Sequence, residues 1–362
     1  MGEHQTNAAL TNGLFASSRP PQSESLYRME PYRRGAFARW LFLLVATAFL
    51  LALTIFGFEF LFSPYRRLPI NGMIDGSRYT WGHLVQNNKY GFRERDFETP
   101  KPADIYRVMV LGDSLTWGAG LAVEERYTAI AEGLLSEAFP KKRFELLNFG
   151  IPGGPTTEER DILRELKLEV APDLIVVGFC LNDPQPKRMD YSIEREKLTN
   201  SKLGQTVDRV SHFLLDIGLP YTAKLSNDAF YGLAQRLGII PSANSALARA
   251  YDPLSNEWQS FVQALKDMKK MSDELNLPSP IFAILSHAGR SNILWSQWLQ
   301  QVEKTAADIG FVSYNHEFEI ADRLGGESLT INRLDGHPSA AVNRIYGEKL
   351  YQVISEQLER QK

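Results

Sequence analysis

Residues 108–118 read VMVLGDSLTWG. An apolar run ends at Gly112, and Asp113-Ser114 follows at once. In an open α/β sheet the carboxyl end of a strand is where ligands bind, so a hydroxyl at this junction faces a crevice and not the core. Ser114 is therefore a candidate nucleophile. From these residues alone capping of a following helix competes with that reading, since Ser is a favoured N-cap.

Working outward, three further elements follow in chain order. Asn148–Gly154 reads NFGIPGG after a second apolar run, Asn182-Asp183 ends a third, and Asp335-Gly336-His337-Pro338 opens the terminal helix expected over Ser339–Leu358. Five short apolar runs, Tyr106–Leu111, Phe144–Phe149, Leu174–Phe179, Ile281–Leu285 and Phe311–Tyr314, suit strands of a parallel sheet covered on both faces. Helical spacing separates them: Tyr127, Ile130, Leu134 and Ala138 recur on one face, and Trp258, Phe261, Val262, Leu265, Met268 and Leu275 mark another. Thr156 with Glu159 reads as a capping box. Alternating strands and helices predict βαβ units, hence an α/β fold.

The ordered set of Ser, Gly, Asn and His blocks resembles the SGNH or GDSL hydrolase family over about residues 103–362. The resemblance implies a three-layer αβα sandwich with a five-stranded parallel sheet, flavodoxin-like in character, and a serine ester hydrolase. It implies Ser114 as nucleophile and His337 as base, with the N–H of Ser114, the N–H of Gly153 and the amide of Asn182 as oxyanion donors. Gly153 is taken over Gly150 and Gly154 by its place in the block. His287, after the fourth run, is the competitor to His337.

Two positions depart from the family pattern. The family more often places its aspartate three residues before the histidine, where this chain has Leu334, so Asp335 is the candidate to hold the imidazole Nδ1. The third block often reads Gly-x-Asn-Asp, but Cys180 stands in the glycine position, with Gly178 two residues earlier. The helix end after His337 disfavours imidazolium while Asp335 favours it, and a neutral base at pH 7 is expected.

Other chemistries lack support. Thr116 occupies the second glycine position of a Gly-x-Ser-x-Gly elbow. No His, Cys or carboxylate cluster has metal-ligand spacing, and Gly118-Ala119-Gly120 lacks the dinucleotide pattern, so no metal and no cofactor is implied. With 40 Lys and Arg against 43 Asp and Glu, and no basic run interleaved with aromatics, a nucleic-acid partner is not expected. The single cysteine, Cys180, sits in an apolar run and reads as a buried thiol.

Trp40–Phe62 is almost wholly apolar and long enough to cross a hydrocarbon core of about 30 Å. An uncleaved signal anchor is expected; cleavage after Ala46-Thr47-Ala48 is the alternative. Arg28, Arg33, Arg34 and Arg39 before the span outweigh Arg66, Arg67 and Arg78 after it, which leaves the amino terminus in the cytoplasm. The expected organisation is a disordered cytoplasmic tail (1–35), a transmembrane anchor (36–62), a juxtamembrane strap (63–102) and a hydrolase domain (103–362). The strap contains NNKYGFR at residues 87–93, with Arg93 read as packing in preference to substrate contact. The domain carries an insertion at about 184–252, either a lid or a packed elaboration.

The function expected is a membrane-anchored esterase acting on an O-acyl or O-acetyl ester of an envelope glycan or lipid. An O-acyltransferase using the same triad, and a catalytically silent binding protein, are the alternatives. Oligomeric state is not legible.

Overall fold

The computed structural model describes residues 31–63, 68–185, 193–285, 293–316, 320, 323–324, 329–332 and 334–360. The chain forms two compact units, residues 1–61 and 62–362. The first holds all but the last residue of α1 (Pro31–Phe62), within which Gly35–Leu61 has mean hydropathy 2.6 and is long and apolar enough to cross a membrane, as an anchor or as a signal sequence. The helix starts at Pro31, inside the stretch expected to be a disordered tail. Proline suits the first helical turn, where its missing N–H would have no intrahelical partner. The rest of the expected tail lies outside the described residues.

The second unit opens with a small antiparallel sheet of β1 (Gly72–Ile74), β2 (Ser77–Thr80) and β3 (His83–Leu84). Five parallel strands then form the main sheet: β4 (Ile105–Gly112), β5 (Arg143–Gly150), β6 (Leu174–Phe179), β7 (Ile281–Ile284) and β8 (Val312–Asn315). Their spatial order is β5-β4-β6-β7-β8, so chain direction across the sheet reverses at β4. This is the flavodoxin-like order, whose ligand crevice opens between the first and third strands, here β4 and β6.

Alternation along β4 assigns the two faces. Met109 and Leu111 join one core with α4 (Thr156–Val170), α9 (Asn256–Glu274) and α10 (Ile293–Ile309). Val108 and Val110 join the other with α3 (Tyr127–Ala138) and the terminal helix α11 (Ala340–Arg360). All eight residues of β4 are buried, as a central parallel strand covered on both faces requires. The three-layer αβα sandwich follows.

Two local expectations are corrected. The capping box at Thr156 does not form: Pro155 is the N-cap, Thr156 is already helical, and neither the Thr156 hydroxyl nor the Glu159 carboxyl has a hydrogen-bond partner among the described residues. The tetrapeptide around His337 does not open a helix. Asp335–Pro338 is a short strand, β10, paired antiparallel with β9 (Thr330–Asn332), and the helix starts after it at Ala340. Within the expected strap, Phe97 lies in the hydrophobic core and Tyr90 and Phe92 pack against it.

The described part of the insertion forms α5 (Ile193–Asn200), α6 (Lys202–Asp216), α7 (Pro220–Arg236) and α8 (Ala243–Ala250). Its carboxyl end is part of the core: Leu247, Ala250 and Tyr251 are buried with Trp258 and Trp298, and the Tyr251 hydroxyl donates to Leu181 O at 2.9 Å.

Candidate active site

Ser114 is the first residue of α2 (Ser114–Trp117), but it is not the cap. Asp113 is, its Oδ1 accepting the Leu115 N–H at 2.8 Å. The serine hydroxyl is thereby released from local duty and approaches His337, with Oγ 2.9 Å from Nε2. A longer contact of 3.3 Å runs to Asp113 Oδ2.

His337 sits on β10, and its Nδ1 is 2.5 Å from Asp335 Oδ1. The same oxygen accepts the His337 backbone N–H at 2.9 Å, while Oδ2 accepts the indole N–H of Trp81 at 2.6 Å. Spacing of two residues instead of three therefore still reaches the imidazole, because an extended backbone lets one carboxylate oxygen serve both N–H groups. Burial opposes the charge on Asp335, but the bonds from His337 and Trp81 outweigh it and bring the carboxyl down to about 2.

Burial likewise opposes the imidazolium, yet the bond to Asp335, that carboxylate's charge and the more distant charge of Asp113 hold His337 above its ordinary value of 6.5. The sequence argument for a neutral base at pH 7 weighed a helix end against Asp335. In the fold the largest influence raising the ring is the hydrogen bond to Asp335. The competitor His287 lies outside the described residues. His316 is buried and stacked against Tyr346, with ring centroids 5.2 Å apart, and burial lowers it to about 3.

The oxyanion candidates lie at the same strand ends. The β4, β5 and β6 register brings Gly112, Gly150 and Gly178 abreast beneath α2. A Cβ on Gly150 would lie 2.3 Å from Trp117 N, and one on Gly178 would lie 2.4 Å from Thr116 Oγ1. Gly150 N–H is spent on Asn148 Oδ1 and Gly154 N–H on Ile151 O, both at 2.9 Å. Gly153, at φ +69°, has an N–H that no described residue accepts, which separates it from its two neighbours. Asn182 follows β6 in a turn closed by Asp183, whose Oδ2 accepts Cys180 N–H at 2.8 Å and whose N–H donates to Cys180 O at 3.0 Å. Cys180 thus occupies the family's glycine position as part of a tight turn, with its thiol buried and raised by burial.

Several supports surround these residues, and of them Arg93 is the one read from the sequence as a packing residue. Arg93 is buried, donating from Nη1 to Gly118 O at 2.9 Å and from Nη2 to Leu121 O at 2.7 Å, with its guanidinium 5.0 Å from the Trp117 ring centroid. It ties the loop after the serine helix and contacts the protein interior. Asn148 holds the same loop, donating from Nδ2 to Thr116 O at 2.6 Å. Behind the site Asp113, Glu159 and Asp183 are buried carboxyls, each raised first by desolvation. Trp81 had no signal, since nothing in an isolated Trp-Gly pair announces an aspartate 254 residues away. Among the described residues no group of three or more His, Cys, Asp or Glu side chains is placed to hold a metal ion.

A serine, histidine and aspartate in hydrogen-bonded sequence at the switch point of an α/β sheet define the class, a serine hydrolase. The profile of the GDSL-like Lipase/Acylhydrolase family matches residues 110–345. The chain belongs to that family, and its enzymatic type is the SGNH/GDSL serine esterase. Among solved structures it is similar to TesA, at 13% identity and TM-score 0.41, covering 68% of this chain and 96% of that one. It is also similar to an acetyl-xylooligosaccharide esterase from Geobacillus, at 14% identity and TM-score 0.38, covering 68% and 93%. A third is the psychrotrophic esterase EstA from Pseudoalteromonas, at 14% identity and TM-score 0.40, covering 70% and 98%. No curated protein sequence matches.

Proposed function

We propose that this protein is a membrane-anchored esterase that hydrolyses O-acyl esters of an envelope glycan or lipid through an acyl-serine intermediate. Its catalytic domain would lie on the extracytoplasmic side and its amino terminus in the cytoplasm. The observation that carries the chemistry is the continuous path from Asp335 Oδ1 through His337 to Ser114 Oγ, with links of 2.5 and 2.9 Å.

In this reading neutral His337 keeps its Nδ1 proton in a hydrogen bond to Asp335 and accepts the hydroxyl proton of Ser114 at Nε2 as Oγ attacks the ester carbonyl, and the imidazolium so formed is stabilised by the Asp335 carboxylate. The tetrahedral oxyanion is met by the N–H groups of Ser114 and Gly153 and by the Asn182 amide, each worth about 3 kcal/mol. His337 then passes its proton to the departing alkoxide, leaving an ester on Ser114. Water, deprotonated by His337, attacks that ester and releases the carboxylic acid with the hydroxyl restored. Anchoring rests on the length and hydropathy of Gly35–Leu61, and the orientation on the arginines preceding it.

A fluorophosphonate probe applied to the full chain in detergent tests the reading. Labelling of wild type that disappears in Ser114→Ala is expected. Equal labelling of both would overturn it.

A further inference from the structure

The segment matched by the family profile starts at residue 110, yet one hydrogen bond to the candidate triad comes from well before it. β2 and β3 form a hairpin in which Thr80 pairs with His83, leaving Trp81-Gly82 as a two-residue turn. Both turn residues have positive φ, +45° at Trp81 and +93° at Gly82. Turns of this kind favour Asn, Asp or Gly at their first central position, and a bulky aromatic there is an outlier that persists only when its surroundings hold it. Trp81 thus breaks a local rule. The compensation is tertiary: its side chain is buried, and its Nε1–H reaches Asp335 Oδ2 at 2.6 Å.

That bond falls where this site departs from its family. With the aspartate two residues before the histidine, Oδ1 takes both the His337 Nδ1 and the His337 backbone N–H. Only Oδ2 is left to fix the rotation of the carboxylate, and Trp81 is its partner. Neighbouring residues brace the hairpin against the serine side of the site. Thr80 Oγ1 accepts the Gly120 N–H at 2.7 Å, and the Arg78 guanidinium lies 5.3 Å from the Trp117 ring centroid.

We propose that Trp81 is a positioning residue of this esterase, its indole N–H locking the Asp335 carboxylate that orients His337. The hairpin preceding the family segment thereby completes the catalytic site. This rests on the roles given above to Ser114, His337 and Asp335. The charged groups acting on the imidazole are Asp335 and, at longer range, Asp113; Asp335 in turn is bonded by His337 and by the neutral indole N–H of Trp81. Taking away the indole donor leaves more of the carboxylate charge to the imidazolium, which favours the protonated base.

The test is hydrolysis of a short-chain aryl ester by the full chain in detergent. Wild type, Trp81→Phe, Asp335→Asn and the double variant are compared well below their melting midpoints. Trp81→Phe is expected to lower kcat about tenfold to a hundredfold, to leave KM within about twofold, and to move the acid limb of the pH profile to higher pH. Asp335→Asn moves that limb to lower pH, and in its background Trp81→Phe is expected to cost nothing more. Where Trp81→Phe does not fold, Trp81→Asn replaces it with the same expectations, because Asn suits the left-handed turn but is too short to reach Asp335. An unmoved acid limb, or the same loss in both backgrounds, would reduce Trp81 to a packing residue and overturn the proposal. Ser114→Ala hydrolysing as fast as wild type would sink the site reading and the Trp81 role together. An inactive Ser114→Ala beside a fully active Trp81→Phe sinks only the latter.

Discussion

His337 Nε2 lies 2.9 Å from Ser114 Oγ across 223 residues of chain. The junction is made by the packing of two helices. Asn343, at the start of α11, accepts the Tyr127 N–H at 3.2 Å at the start of α3, and Gly347 lets α11 approach so closely that a Cβ there would lie 2.7 Å from Ile130 Cβ. The amino ends of both helices are thus fixed near the crevice, and β10, just before α11, presents His337 to the serine.

Because the two side chains act as a unit, Ser114→Ala and His337→Ala are each expected to lower aryl-ester hydrolysis by at least ~10³-fold. The double variant should be no worse than either single one. Steady-state kinetics on the three variants, with folding checked by circular dichroism, reads this directly, and additive losses would argue against a shared mechanism.

The pH profile carries a defined sign. His337 is held above 6.5, and the base must be neutral to accept a proton, so kcat/KM should rise through a midpoint above 6.5. Asp335→Asn removes the main group that raises it and leaves only the more distant Asp113, so the midpoint should fall while kcat drops about 10²- to 10⁴-fold. A midpoint that rises in Asp335→Asn would mean that another group orients the imidazole.

For Asn182→Ala the expected loss is about 10²- to 10³-fold in kcat with KM little changed, since the amide counts mainly once the oxyanion forms. A change confined to KM would make Asn182 a substrate contact instead.

Glu159 gives a stability prediction of the opposite kind. Its carboxyl is raised well above the ordinary 4.5, by burial first and then by Asp113 and Glu158. A group whose folded value is raised contributes stability that is complete below the unfolded value and is lost as pH rises through the folded one. Glu159→Gln, neutral throughout, should therefore raise the melting midpoint relative to wild type by more at pH 8 than at pH 5. Calorimetry at the two pH values is the check, and a midpoint lowered equally at both would show that the acid has a partner to lose.

The topology prediction concerns a bacterial host. Protease added once the outer barrier is opened should digest the catalytic domain of intact spheroplasts, and the chain should sediment with membranes at its uncleaved mass. A soluble fragment starting near Phe49 would instead mark Ala46-Thr47-Ala48 as a cleavage site.

Much of this was open to reading in the chain itself. The five apolar runs coincide with the five strands because parallel strands covered on both faces are built mainly from apolar residues, a constraint written residue by residue. Ser114 and Asn182 stood out because each follows such a run, and His337 because it stands in a block just before the terminal helix. Gly153 was preferred to Gly150 and Gly154 by its place in the block, and in the fold the N–H groups of those two are spent elsewhere. The capping box failed because Glu159 is drawn into the interior beside Asp113 and Asp183, a demand of packing that overrides a local preference. Strand identity and motif order are local properties, set by solvation and backbone chemistry, and the sequence determined them. Tertiary structure alone decided that Arg93 braces the serine loop and that Trp81 meets Asp335. Such contacts join residues tens to hundreds of positions apart, and only the packing of sheet, hairpin and terminal helix brings them within hydrogen-bond range.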